Sequence, residues 1–425
     1  MTRRGFVKLV GSAIAVGAAG LSGCAGSASG PSRAKVVVIG GGFGGATAAK
    51  YVRLWAPDIE VTLVEPNLNF VSCPFSNRVL GGNLKIEQLT VGYDKLQSVR
   101  GVKLLRDRAL GVDPRARQVK LASGQSLEYD RLVVAPGVDF IYDQLPGLKD
   151  PASRERVLHS WKAGPETLAL RRQLESMRDG GVYALCVPRS PYRCPPGPYE
   201  RACQVAFYFK NHKPRSKVLI LDANEDVQSK KGLFMAAWNG PYKGLVEYRP
   251  NSELLDVDVR TMTAKLQFED VKADVLNVVP PNRAGDIARQ AGLVTANDRW
   301  CEVNWQTMES VAARGVHVVG DATLSAPMMP KSGHMANQHG KLAADAIIAA
   351  LTGRAINDEP IISNTCYSWI SDREVVHVAS IHAYDPAQKT LVPVKGAGGL
   401  SPGPTVKEGE FAMGWASSIF ADALA

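Results

Sequence analysis

A glycine-rich turn near the start of the chain restricts its fold more than any other feature. Lys35-Val-Val-Val-Ile39 is a β-branched run of the kind found in a buried parallel strand. It runs into Gly40-Gly-Gly-Phe-Gly-Gly45, where Gly40, Gly42 and Gly45 fit G-x-G-x-x-G, and then into ATAAKYVRLWA, a helix pattern. The first glycine allows the tight turn, the second lets the backbone approach a pyrophosphate, and the third lets helix and strand pack closely. The helix start then offers free N–H groups to phosphate. A second strand, Glu60–Val64, ends at Glu65, 25 residues after Gly40, where a carboxylate accepts hydrogen bonds from an adenosine ribose.

Two later segments point to FAD at this site. Tyr129-Asp-Arg-Leu-Val-Val-Ala-Pro-Gly137 is a strand ending in a small-residue turn, and it resembles the second flavin-domain motif of two-dinucleotide flavoproteins. Gly315-Val-His-Val-Val-Gly-Asp-Ala322 ends in Gly320-Asp321 and resembles the motif whose Asp holds the ribityl and pyrophosphate region. The fold class is therefore α/β, with two Rossmann-like domains and a C-terminal interface domain. The expected boundaries are 34–150 with 315–358 for an FAD-binding domain, 151–314 for an inserted NAD-like domain, and 359–425 for a domain completing the flavin pocket and partner interface.

The inserted domain breaks the pattern where its own fingerprint should stand. After the apolar strand 180–187 the chain reads Pro188-Arg-Ser-Pro-Tyr-Arg-Cys194-Pro-Pro-Gly-Pro198. Proline has no N–H to offer a phosphate and fixes φ. A helix over 199–212 and a strand over 217–222 then continue an ordinary βαβ unit. The scaffold is retained, the nucleotide site is replaced by a rigid loop presenting Cys194, and NAD(P)H is excluded as the electron source.

Residues 1–33 read as an address. Arg3-Arg4-Gly-Phe-Val-Lys8 precedes about 13 small apolar residues, resembling a twin-arginine export signal, and Leu21-Ser-Gly-Cys24 resembles a lipobox. Cys24 is either lipidated, giving a tethered chain, or a chance cysteine in the leader. The expectation is a periplasmic protein, in a compartment where disulfides persist. The net charge of +9 falls to +6 without the first 24 residues, which hold Arg3, Arg4 and Lys8 and no acid. The basic stretch 100–120 has seven Lys/Arg against two Asp but no aromatic residue. It lacks the stacking platforms of a single-strand nucleic-acid binder and reads as a solvated face. No apolar run is long enough for a multi-span membrane protein.

Seven cysteines remain to be explained. A lone cysteine is most often a small buried hydrophobe, which suits Cys186, Cys203 and Cys301. Six exported cysteines allow about 15 full pairings, so spacing selects no bridge. Here a resemblance adds what spacing does not. From residue 34 to the end, the chain resembles the flavoprotein subunit of flavocytochrome c sulfide dehydrogenase. The segments carrying it are VVVIGGGFGGATAAKYV, EVTLVEP, YRCPPGPYERA, VVPPNRAG, MPKSGHMAN and NTCYS.

That resemblance implies covalent FAD, joined through its 8α-methyl to Cys73 in FVSCPFSN, and a redox disulfide between Cys194 and Cys366 beside the isoalloxazine. It makes Glu200 an acid/base candidate and Trp415 a wall of the pocket. For Glu200 the competing assignment is a carboxylate complementing a helix dipole, and for Trp415 it is core packing. It implies sulfide oxidation to sulfur or polysulfide, with electrons passed singly to a separate c-type cytochrome subunit, since no C-x-x-C-H haem motif occurs in this chain. Val71-Ser72 and Pro74-Phe75 depart from the family's usual residues around Cys73. Sulfide:quinone oxidoreductase is the alternative enzyme, expected to carry an amphipathic membrane-docking tail. A type II NADH dehydrogenase would need the missing glycine loop. A redox-inactive FAD-binding scaffold would leave Cys194 and Cys366 buried and inert.

Overall fold

A computed structural model describes residues 33–425, so Arg3, Arg4, Lys8 and Cys24 lie outside the described residues. Strand β1 (Lys35–Ile39) turns into helix α1 (Phe43–Trp55) and returns as β2 (Glu60–Val64), followed by β3 (Lys103–Leu105) and β4 (Arg131–Val134). A second series comprises β5 (Val182–Val187), α2 (Gly197–His212), β6 (Lys217–Asp222), α3 (Lys231–Asn239), β7 (Val246–Arg249) and β8 (Val275–Val278). The chain then supplies β9 (Val316–Val318) and α4 (Gly333–Thr352). It ends with β10 (Ile361–Trp369), β11 (Val375–Asp385), β12 (Thr390–Leu400) and α5 (Val406–Leu424).

The first sheet has the order β9-β4-β1-β2-β3, all parallel. The second has the order β7-β6-β5-β8, also parallel. Parallel sheets are covered on both faces, so their strands read as near-continuous apolar runs. In β5, Tyr183, Leu185 and Val187 enter one core while Ala184 and Cys186 enter the other. That is the two-residue alternation of a pleated strand. The last three strands form an antiparallel sheet. Helix α5 follows it and packs Ala412 and Ala416 against Phe75, Val79 and Trp369.

Residues on the N-terminal side of residue 314 also pack with the first sheet. Ala284, Leu293, Trp300, Cys301 and Met308 are buried in the same core as β1 and β4. Residues 282–284 also pair antiparallel with Val138–Phe140. The return to the first unit therefore begins about thirty residues before β9. These residues are too interrupted by glycine and polar groups to form a strand of either sheet, but their apolar side chains still need a core.

Candidate active site

The carboxyl ends of the first sheet converge where ligands bind in open α/β sheets. Gly40 has φ +95°, and a Cβ there would lie 2.4 Å from the Ala135 carbonyl oxygen. A Cβ on Gly45 would lie 1.9 Å from the Gly40 carbonyl oxygen, so no side chain fits. Gly42, the residue capping α1, instead faces open space. Glu65 is buried at the end of β2, where it accepts the Gly41 N–H at 2.7 Å and the Asn67 N–H at 2.8 Å. It retains lone-pair capacity beyond these contacts.

A cleft runs from Gly42 past Gly137 and Gly320 to Asp321, Arg193 and Cys73. Two of its polar atoms, Asp321 Oδ1 and Arg193 Nη2, are buried without a hydrogen-bond partner. Buried polar atoms are normally paired. Burial pushes the Asp321 carboxyl up, against the opposing pull of Arg193 and Lys331. A polar chain with hydroxyl and phosphate groups would satisfy these atoms. The cradle, the open side of Gly42 and the orphaned atoms fit FAD, with Gly40, Gly42, Gly45, Glu65, Gly320 and Asp321 as the residues that would hold it.

The cleft continues into an inner cavity lined by Cys73, Cys194, Cys366, Glu200 and Trp415. Each cysteine arrives from a different segment. Cys73 precedes the short helix Ser76–Leu80, and its Sγ accepts the Ala163 N–H at 3.4 Å. Cys194 stands in the proline loop at φ +59°, a left-handed conformation that costs a non-glycine residue energy. Its backbone is held on both sides: its N–H donates to the Lys331 carbonyl, and its own carbonyl accepts the Gly197 N–H, each at 2.8 Å. Cys366 lies on β10, where its Sγ accepts from Asn364 Nδ2 at 3.3 Å. All six described cysteines are free thiols, so the Cys194–Cys366 bond expected from the resemblance is not formed in this structure.

Glu200 sits in the first turn of α2 but serves more than the helix end. Its Oε1 accepts the Trp369 N–H at 2.9 Å, and its Oε2 accepts from Asn77 Nδ2 at 2.8 Å. Burial raises its carboxyl above the usual range, against those hydrogen bonds and the charges of Lys230 and Arg78. It can thus hold a proton beside the sulfurs. Trp415 is half-buried and stacks on Phe75 at 6.2 Å, with His334 meeting its ring edge-on at 6.0 Å. Its cavity role and its packing role coexist. Burial pushes the Cys186 and Cys301 thiols up to about 12, which makes them poor nucleophiles. Cys203 is fully buried as well.

Sequence reasoning missed Arg193, Lys230 and His334. Arg193 lines both cavities and faces Cys73, Asp321 and Cys194. Its place immediately before Cys194 was the available signal. Lys230 is 5% exposed and donates from Nζ to the Cys366 carbonyl oxygen at 2.8 Å. His334 lines the inner cavity in the first turn of α4, with Nδ1 accepting the Thr365 N–H at 3.0 Å. Nothing in the local sequence around Lys230 marks it.

Comparisons with known proteins bear on this site. Residues 167–280 match the family described as sulfide dehydrogenase (flavocytochrome c) flavoprotein chain, central. Residues 358–424 match flavocytochrome c sulphide dehydrogenase, flavin-binding, and residues 34–172 match pyridine nucleotide-disulphide oxidoreductase. The chain is 67% identical over 45 residues to the sulfide dehydrogenase (flavocytochrome c) flavoprotein chain of Chlorobaculum thiosulfatiphilum, covering 11% of this chain and 94% of that one. It is 24% identical over 355 residues to the sulfide-quinone reductase of Aquifex aeolicus (strain VF5), covering 78% of this chain and 80% of the relative. A solved structure of the sulfide:quinone oxidoreductase from Aquifex aeolicus shares the fold at a TM-score of 0.76. There the identity is 18%, over 92% of this chain and 91% of that one.

Proposed function

The chain belongs to the family of flavocytochrome c sulfide dehydrogenase flavoprotein chains, and on that premise we propose how its residues divide the work. It is a flavoprotein oxidoreductase acting on sulfide. Cys194 and Cys366 are the redox pair, Cys73 is the thioether link to the 8α-position of FAD, and a c-type cytochrome subunit is the electron acceptor. One observation carries this reading: three cysteines from three distant segments line a single cavity that opens into the dinucleotide cleft.

In the oxidised pair, hydrosulfide attacks one sulfur. A new S–S bond forms as the Cys194–Cys366 bond breaks, leaving a persulfide on one cysteine and a thiolate on the other. FAD, when bound, supplies a two-electron acceptor that can be discharged one electron at a time. Glu200 holds a proton at its carboxyl oxygens beside the pair. Trp415 and Phe75 wall the cavity and limit water around the sulfurs. The persulfide's outer sulfur leaves as elemental sulfur, or as polysulfide when a further hydrosulfide takes it, and the pair closes again only as its two electrons pass to the acceptor that bound FAD would supply, with the proton released.

The reading extends to the leader. A twin-arginine signal would export the folded, FAD-loaded chain to the periplasm, and Cys24 would be its lipid anchor. Among the described residues no helix is long and apolar enough to cross a membrane.

The test is electron delivery from sulfide to cytochrome c, to decylubiquinone and from NADH in parallel. Sulfide should reduce cytochrome c, and Cys194→Ser or Cys366→Ser should lower that rate by about 10³-fold, the scale for loss of a reacting group. Preferential reduction of decylubiquinone would favour the quinone reductase. Full turnover in Cys194→Ser would remove the redox pair.

A further inference from the structure

We propose that Lys230 is a positioning residue that gives the redox pair a polarity: Cys366 leaves as the thiolate, and the sulfur of hydrosulfide ends on Cys194. The proposal rests on the assignment of these two cysteines as the redox pair, and adds which of them is attacked.

Lys230 ends the loop that precedes α3, at φ +56°. A left-handed lysine persists where its surroundings dictate the conformation, and such residues cluster at functional sites. Its side chain is buried in a position that a lysine rarely takes without a charge partner. The one hydrogen bond recorded for its Nζ among the described residues goes to the Cys366 carbonyl oxygen at 2.8 Å. The groups facing its charge come from four places: Cys366 on β10, Glu200 on α2, Cys194 in the proline loop and Glu408 on α5. Two of those four carry no charge while the pair is a disulfide. One of them gains a negative charge when hydrosulfide opens the bond, and Lys230 is then its counter-ion.

The surroundings of the two sulfurs are unequal. Cys366 Sγ already accepts a hydrogen bond from Asn364 Nδ2 at 3.3 Å. The Asn364 amide is oriented by Ser332, whose Oγ–H donates to Asn364 Oδ1 at 2.6 Å. Lys230 is pinned to the backbone of the same cysteine. Cys194 has the opposite setting: burial, the neighbouring Cys366 and the Glu200 carboxylate all push its thiol up, against Arg193 and Lys230. A sulfur that better bears negative charge is the better leaving group. The step therefore runs as HS⁻ plus Cys194–S–S–Cys366 to Cys194–S–SH plus Cys366–S⁻. One S–S bond forms, one breaks, and the single negative charge passes from hydrosulfide to Cys366.

The experiment uses the full-length, FAD-loaded protein. Anaerobic mixing with one equivalent of sodium sulfide, rapid quenching with iodoacetamide and peptide mass mapping should find the persulfide adduct on the Cys194 peptide. In the dithiol form, thiolate absorbance near 240 nm (~) is titrated against pH. Lys230→Met should move its midpoint up by about one unit and slow sulfide-dependent flavin bleaching by about tenfold, with KM little changed. Lys230→Arg should restore both, because it keeps the charge. Persulfide on the Cys366 peptide, or a wild-type thiolate midpoint in Lys230→Met, overturns the proposal. If Lys230→Met fails to retain FAD, the mapping on the unmodified protein decides alone. Cys194→Ser and Cys366→Ser separate the two readings: if both still bleach the flavin with sulfide, the redox-pair assignment has failed, and the polarity with it.

Discussion

Two crossover turns of this chain have the same architecture and opposite chemistry. Each joins a parallel strand to a helix, and each helix leads back to a neighbouring strand that ends in an acid. The first, Gly40–Gly45, offers backbone N–H groups and the open face of Gly42. The second, 188–198, offers prolines and a left-handed Cys194, with Pro196 capping α2. The acids differ as well. Glu65 stands at the cleft, accepting from its own glycine turn. Asp222 is plugged from inside, accepting from Tyr199 Oη–H at 2.8 Å, Tyr248 Oη–H at 3.2 Å and Asn224. The comparison teaches that a βαβ scaffold only aims a turn at a ligand. The donors in the turn decide whether that ligand is a pyrophosphate or a sulfur atom.

The sharpest way to break this contrast is to put a side chain into the first turn. Gly45→Val should cut bound FAD by at least about tenfold, because its Cβ has no space beside Gly40. Pro196→Ala in the second turn should leave FAD content within about twofold, since that turn donates nothing to a phosphate. Equal FAD loss in the two variants would end the distinction, and flavin absorbance per protein measures it. Next in size is Cys73→Ser. After acid precipitation its yellow colour should pass wholly into the supernatant, whereas the wild-type pellet should keep it.

A smaller effect concerns acid. Burial holds His317 at about 4 and His339 at about 3, both beside the first sheet. The unfolded chain takes up these protons near 6.5, and the folded chain does not. Stability should therefore be flat above pH 6.5 (~) and fall as pH drops towards 4 (~), by up to about 1.4 kcal/mol per pH unit for each histidine. Thermal melts between these limits should show His317→Gln with a shallower fall. The smallest effect is expected at the plug of the second turn. Tyr199→Phe should cost about 1 kcal/mol in denaturant unfolding and leave sulfide turnover within about twofold. A large loss of turnover would mean that this acid takes part in the chemistry after all.

Much of both parallel-sheet units could be read directly from the chain. The bounds of β1, β2 and β6 agree with their apolar runs, and α2 starts two residues before its expected position. The residues 284–313 were harder, because they join the first core without regular pairing and so carry no period. The inner cavity was legible only through cysteine-bearing segments that resemble a family. Arg193 and His334 line it from a loop before a helix and from a helix start, and Lys230 reaches the Cys366 backbone from a strained loop end. Such positions leave no periodic trace.

Short-range demands came from the chain alone. A turn with Gly40 at positive φ and no room beside Gly45 must be glycine, and a loop rich in proline cannot cradle a phosphate, whatever surrounds them. Neighbouring residues suffice for such conclusions because they concern sterics and missing donors within a few bonds. Tertiary structure alone decided that Cys73, Cys194 and Cys366 line one cavity with a buried lysine behind Cys366. Those meetings depend on three sheets and the helices between them packing to a common core, and that long-range packing is not encoded in any local pattern.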